Sequence, residues 1–261
     1  MIYSMENTVN KALRIIARLD IKGETLIKGV NLEGLRVLGN PQDFAQRYYS
    51  QGIDEILYMD VVASLYGRNK LTHVVKKTAQ NVFVPLTVGG GIRSIADVTD
   101  LLRSGADKVA INTAALEAPQ LITQVAEKFG SQCMVISIEA KKRAENYWEA
   151  YKNSGREPSG IDVVSWAREA VQLGAGEILL TSIDKEGTGA GFDLQLIESI
   201  QAAVNVPVIA SGGFRTEDHM KKAKESGIEA IAIADAFHYG RCDVEDVRRY
   251  AQVQGFEVRQ L

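Results

Sequence analysis

Short apolar runs rich in β-branched residues alternate with longer stretches of helical period along the chain. The runs occupy residues 14–20, 55–60, 84–88, 108–112, 133–139, 177–183, 206–210 and 230–234. Each is nearly continuous in apolar character, as expected of a strand covered on both faces in a parallel sheet. Segments 97–104, 120–129, 163–173 and 216–226 carry apolar residues every three or four positions, which predicts amphipathic helices between the strands. Gly52, Gly105, Gly130, Gly174 and Gly227 lie just past helical segments, where glycine commonly ends a helix. Eight strand–helix units with no break in composition predict an α/β fold, a single (β/α)₈ TIM barrel. The barrel forms one domain over residues 1–261, with 1–11 as an N-terminal extension. A doubly wound open sheet is the alternative, and the eight regular units speak against it.

The chain repeats itself at an interval of 122 residues. Glu55-Ile-Leu returns as Glu177-Ile-Leu, Gly90-Gly91-Ile-Arg93 as Gly212-Gly213-Phe-Arg215, and the run from Lys108 as the run from Ala230. An interval this long is no solenoid period. It describes two half-barrels of four units each, which places corresponding residues opposite one another across the barrel.

Chemistry in such a barrel sits at the C-terminal ends of the strands. Asp20 ends the first strand and Glu139 the fifth, so the repeat faces two carboxylates across the mouth. Such a pair can divide general-acid from general-base work when burial and mutual repulsion separate their pKa values. Asp60, Asp184 and Glu186 end strands nearby and make the mouth acidic. The turns Gly89-Gly90-Gly91 and Gly212-Gly213 can present backbone N–H groups to an anion, and their duplication suggests two phosphate sites for a bis-phosphorylated ligand. Asn112 and Thr113 suit the first site. Their counterparts are Ala234 and Asp235, and a carboxylate repels a phosphate unless a cation intervenes. At the opposite end, Arg14, Glu55, Lys108 and Glu177 start strands with charges of alternating sign. Charges there ordinarily serve stability.

Composition narrows the function classes. Thirty Lys and Arg against 33 Asp and Glu give a net charge of -3 over 261 residues, which argues against a nucleic-acid partner. No apolar run reaches the roughly 18 residues of a membrane span, and the first ten residues lack the apolar core of a secretory signal, so a cytoplasmic location is expected. Two cysteines, Cys133 and Cys242, fit neither a zinc motif nor a disulfide scaffold. Three scattered histidines give no basis for a metal, and no cofactor is expected. Tyr48, Tyr49 and Trp166 read as packing residues.

Several stretches resemble the HisF family, the cyclase subunits of imidazole glycerol phosphate synthase. They are Leu19-Asp-Ile-Lys22, Lys28-Gly29, Pro85-Leu-Thr-Val-Gly-Gly-Gly-Ile-Arg93, Gly105-Ala-Asp-Lys-Val109, Ile111-Asn-Thr-Ala114, Phe129-Gly-Ser-Gln132, Gly174-Ala-Gly-Glu-Ile-Leu-Leu-Thr-Ser182 and Ile209-Ala-Ser-Gly-Gly213. The resemblance implies a barrel whose N-terminal face binds a HisH-like glutaminase. Ammonia then enters through a gate formed by Arg14, Glu55, Lys108 and Glu177, which replaces the purely structural reading of those charges. It implies a catalytic role for Asp20, with Glu139 standing where the family has its second catalytic aspartate. It also implies substrate or phosphate contacts from Lys28, Gly90, Gly91, Asn112, Thr113, Asp184, Gly187, Ser211, Gly212, Gly213 and Asp235. The departures lie at the mouth: Glu139, Glu186 within Glu186-Gly-Thr188, Phe214-Arg215 and Asp235. This pattern, with Asn31-Leu-Glu-Gly-Leu-Arg36 and the stretch 59–67, resembles a second HisF-like branch from bacterial surface-polysaccharide clusters. That branch implies ammonia supply to a separate sugar amidotransferase that turns an acetamido group into an acetamidino group. Two alternatives stand beside this: the cyclase of histidine biosynthesis, and a non-catalytic conduit that activates a glutaminase.

Overall fold

The computed structural model describes residues 12–63 and 71–260. The N-terminal extension 1–11 and the end of the 59–67 stretch therefore lie outside the described residues. Twelve strands are present among these: β1 (Arg14–Lys22), β2 (Thr25–Val30), β3 (Glu33–Gly39), β4 (Glu55–Asp60), β5 (Leu86–Gly89), β6 (Lys108–Ile111), β7 (Met134–Ala144), β8 (Tyr147–Lys152), β9 (Glu157–Asp162), β10 (Glu177–Ser182), β11 (Val208–Ser211) and β12 (Ala230–Ile233). Eight of them, β1, β4, β5, β6, β7, β10, β11 and β12, pair in parallel in that order, and β12 returns to β1. This is the predicted closed (β/α)₈ barrel.

The two antiparallel hairpins, β2–β3 after β1 and β8–β9 after β7, lie outside the eight-unit pattern. They still obey the repeat, since each half-barrel carries one after its first strand. Other elements return 122 positions on, as with the helix Ile95–Arg103 and its counterpart Glu217–Glu225. The fifth predicted run extends well past its expected end at residue 139, because β7 continues above the barrel to pair with β8.

Alternation along the strands divides the core in two. On β1, Ile15, Ala17, Leu19 and Ile21 face outward and join the large cluster under the helices. The helix Val163–Gln172 shows how these helices dock: Val163, Trp166, Ala167 and Ala170 form its buried stripe, and Asp162 caps it by accepting from the Ser165 N–H at 2.8 Å. Inside the barrel a smaller cluster includes Ile16, Leu57, Ala110, Val135, Leu179 and Ile209. Arg14, Arg18 and Asp20 share the inward face with Ile16, so charged layers lie below and above an apolar one.

The turn after β5 requires glycine. Gly90 has φ of +100°, and a Cβ there would lie 2.2 Å from the carbonyl oxygen of Asp60. Backbone cannot yield cheaply on that side. Gly90→Ala is expected to lower the urea midpoint by an amount worth about 2 kcal/mol or more; an unchanged midpoint would contradict this close approach.

Candidate functional site

Four strand-initial residues close the N-terminal end of the barrel. Arg14 donates to Glu55 at 2.7 Å and to Glu177, while Lys108 reaches Glu177 at 2.8 Å and Glu55 at 3.5 Å. Strand order puts Glu177, Arg14, Glu55 and Lys108 in sequence around the axis, so every charge has an opposite charge on each side. The two glutamates are buried; the two cations keep part of their surface in solvent. The four residues predicted as a ring are one ring.

Above the apolar layer a second charged group spans the barrel interior. Arg18 is completely buried. Its Nε donates to Asp20 at 2.9 Å, and its Nη1 donates to the hydroxyls of Thr181 at 2.8 Å and Ser211 at 3.1 Å. These contacts tie β1 to β10 and β11 across the lumen. The hydroxyl of Ser211, a predicted phosphate contact, accepts from this guanidinium.

The β2–β3 hairpin brings Lys28 down onto the same cluster. Its ammonium donates to Asp20 at 3.2 Å and to Glu186, and all three side chains are buried. Burial alone would raise the Asp20 pKa, but the charges of Arg18 and Lys28 overcome it and hold the carboxyl down to about 2. Burial would likewise lower the Lys28 pKa, yet Glu186 and Asp20 raise it. In this buried quartet two basic side chains face two carboxyl groups.

Glu139 is treated differently. Among the described residues no salt bridge reaches it; its Oε2 accepts from the Asn112 amide at 2.9 Å and from the Gly155 N–H at 2.8 Å. Burial pushes its pKa up to about 7, against the pull of Arg18 and of these two donors. The two carboxylates thus have widely separated pKa values, as the sequence pattern suggested, and Glu139 is the one able to exchange a proton near neutrality.

The mouth has two unequal halves. Beside Glu139, a cavity of about 350 Å³ is lined by Asp60, Gly90, Gly91, Asn112 and Thr113, among others. Asp60 caps the turn below by accepting from the N–H groups of Val62 and Ala63. Asn112 turns its amide toward Glu139 and the Tyr151 carbonyl, and the Thr113 hydroxyl accepts from the Asn153 N–H. The symmetry-related corner, lined by Glu186, Gly187, Gly212, Gly213 and Asp235, retains only about 10 Å³. Asp235 there pairs with Arg215 at 3.4 Å and Arg241 at 3.1 Å. Cations do intervene, and both are already engaged by Asp235.

Asp184 does not join the other predicted site residues. Its carboxylate accepts from the Lys142 N–H at 2.8 Å and lines a separate outer groove, pinning the extension of β7. His238 is a packing residue: its Nδ1 meets the Tyr48 hydroxyl at 2.7 Å, and burial holds its pKa down to about 3. Sequence reasoning missed Arg18 and Arg241, and marked Arg215 only as a departure in the turn after β11. Arg18 carried a readable signal, since it sits between Arg14 and Asp20 at the inward parity of a buried strand.

A protonated Glu139 in the folded chain makes stability depend on pH. Its folded pKa of about 7 lies above the ordinary 4.5, so its contribution is fully present below the ordinary value and is lost as pH rises through 7. Glu139→Gln, neutral at every pH, is therefore expected to melt above the natural chain at pH 8 and to lose that advantage at pH 4. A difference independent of pH would contradict the raised pKa.

No helix among the described residues is long and apolar enough to cross a membrane. The family model described as histidine biosynthesis protein matches residues 14–243. The imidazole glycerol phosphate synthase subunit HisF of Legionella pneumophila is 63% identical over 201 residues, which cover 77% of this chain and 95% of the relative. The subunit of the same name from Bacillus cereus strain Q1 is 49% identical over 249 residues, covering 95% and 99%. Matched by the family model over residues 14–243 and by relatives over nearly its whole length, this barrel belongs to the HisF family.

Proposed function

We propose that the chain is the ammonia-using barrel of a HisF-type glutamine-dependent pair, serving acetamidino modification of a surface-polysaccharide sugar. A HisH-like glutaminase docks at the ring of Arg14, Glu55, Lys108 and Glu177 and releases ammonia into the barrel. Asp20 remains a carboxylate beneath the mouth, while Glu139 carries protons there. A separate amidotransferase converts the acetamido group. The observation that carries this reading is the filled corner around Asp235, which leaves no room for the second phosphate of a bis-phosphorylated ribonucleotide.

A second reading is the cyclase step of imidazole glycerol phosphate synthase in histidine biosynthesis. The relatives' names support it better than they support the first, and they describe each relative as a subunit, in keeping with a partner. On this reading Asp20 and Glu139 act on the ribonucleotide directly. The extra methylene of Glu139, relative to the aspartate the family resemblance implies, displaces its carboxylate by about a bond length, and a misplacement of ~1 Å can cost ~100-fold in rate.

Turnover separates the two. Purified protein given ammonium and the histidine-pathway ribonucleotide should form negligible imidazole product; robust turnover, abolished by Asp20→Asn and kept or improved by Glu139→Asp, would establish the second reading. The delivery claim has its own test in the reconstituted pair. Lys108→Ala should lower glutamine-supported output several-fold while ammonium-supported output holds, and equal loss of both would contradict a gate at the ring.

A further inference from the structure

The two halves of the mouth descend from one repeated plan, so their difference in volume needs a physical cause. On the β5–β6 side the turns leave a cavity of about 350 Å³. On the β11–β12 side about 10 Å³ remains, room for roughly one water. Three features account for the loss. The Arg215 guanidinium lies against Gly189, where a Cβ would fall 2.1 Å from its Cζ. Asp235 is held between Arg215 and Arg241. Phe214 packs on Phe192 with ring centroids 5.8 Å apart, and Gly191 donates to the Gly213 carbonyl at 2.8 Å, which draws the following loop over the corner.

We infer that Arg215 and Asp235 form a bolt that determines specificity: it shuts this corner to anions, so the ligand presents one phosphate-sized anionic end, bound in the open half, and a neutral or cationic opposite end. Space sets the limit: Asp235 lines a corner of about 10 Å³ with both arginines already engaged by it, and Lys28 already meets Glu186. Admitting an anion requires breaking two ion pairs and displacing Arg215 from Gly189. Among the described residues the open half keeps its volume, and the Glu139 carboxyl in its lining is held by Asn112 and Gly155. The inference rests on the reading of the mouth proposed above and adds the substrate class: a compact, singly anionic molecule.

Inorganic phosphate tests it. The natural chain, the double variant Arg215→Gly/Asp235→Ser and the single variant Asp235→Ser are soaked as crystals, and bound phosphates are located. The natural chain is expected to hold none at the Gly187–Gly212–Asp235 corner, and each variant to gain one there. The single variant only exchanges a carboxylate for a hydroxyl, so it keeps the test open if the double variant folds poorly. A phosphate at that corner of the natural chain, or no gain in either variant, would overturn the inference. An empty open half together with a gain at the unbolted corner would uphold the bolt while removing the proposed phosphate site near Gly91 and Thr113.

Discussion

Arg18, Lys28, Asp20 and Glu186 are buried together where the lumen meets the mouth, and their compensation constrains everything above them. Isolated ions in such a place would cost several kcal/mol each after relaxation. Here two cations face two carboxylates at hydrogen-bond distance, and Nη1 of the guanidinium also donates to Thr181 and Ser211. The consequence for chemistry is that Asp20 is fixed as an anion and the proton capacity of the mouth falls to Glu139. Replacement of one member would leave the others exposed to the full desolvation cost, so the quartet fixes the β2–β3 hairpin as firmly as it fixes the charge.

The barrel is built twice, and its function lies in how the copies diverged. Both halves supply a glutamate to the basal ring, Glu55 and Glu177, and both carry a hairpin after their first strand. At the mouth the copies part: the Asn112–Thr113 half is open beside a neutralisable carboxyl, and the Ala234–Asp235 half is packed with its own ion pairs. A symmetric scaffold therefore presents an asymmetric chamber.

The fold and the ring were legible in the sequence because both are periodic properties. Buried parallel strands write nearly continuous apolar runs, the repeat doubles every signal, and a charge at the first position of a strand has a determined place. The hairpins were not legible, since 25–39 and 147–162 lack the uniform apolar character of barrel strands, although each strand in them pairs with its neighbours in sequence. At the site, Asp20 and Glu139 followed from strand ends. Their opposite protonation did not, because it depends on Lys28, eight residues away on a hairpin, and on how deeply the assembled mouth buries Glu139. Likewise Asp235 stood out as an oddity in the repeat, but its partners Arg215 and Arg241 come from other loops, and contact between loops is not written in local pattern. Asp184 had the right position at a strand end and the wrong direction, turned outward to the Lys142 backbone.

The central claim is that burial and ion pairing assign one charge state to each carboxylate: Asp20 bare and Glu139 carrying the proton. Neutron diffraction from a perdeuterated crystal held at pD 6 reads this directly. The account predicts nuclear density for a deuteron on a Glu139 oxygen, none on Asp20, and three deuterons on the Lys28 nitrogen. A deuteron on Asp20 with Glu139 bare, or a Lys28 amine with two, would contradict it.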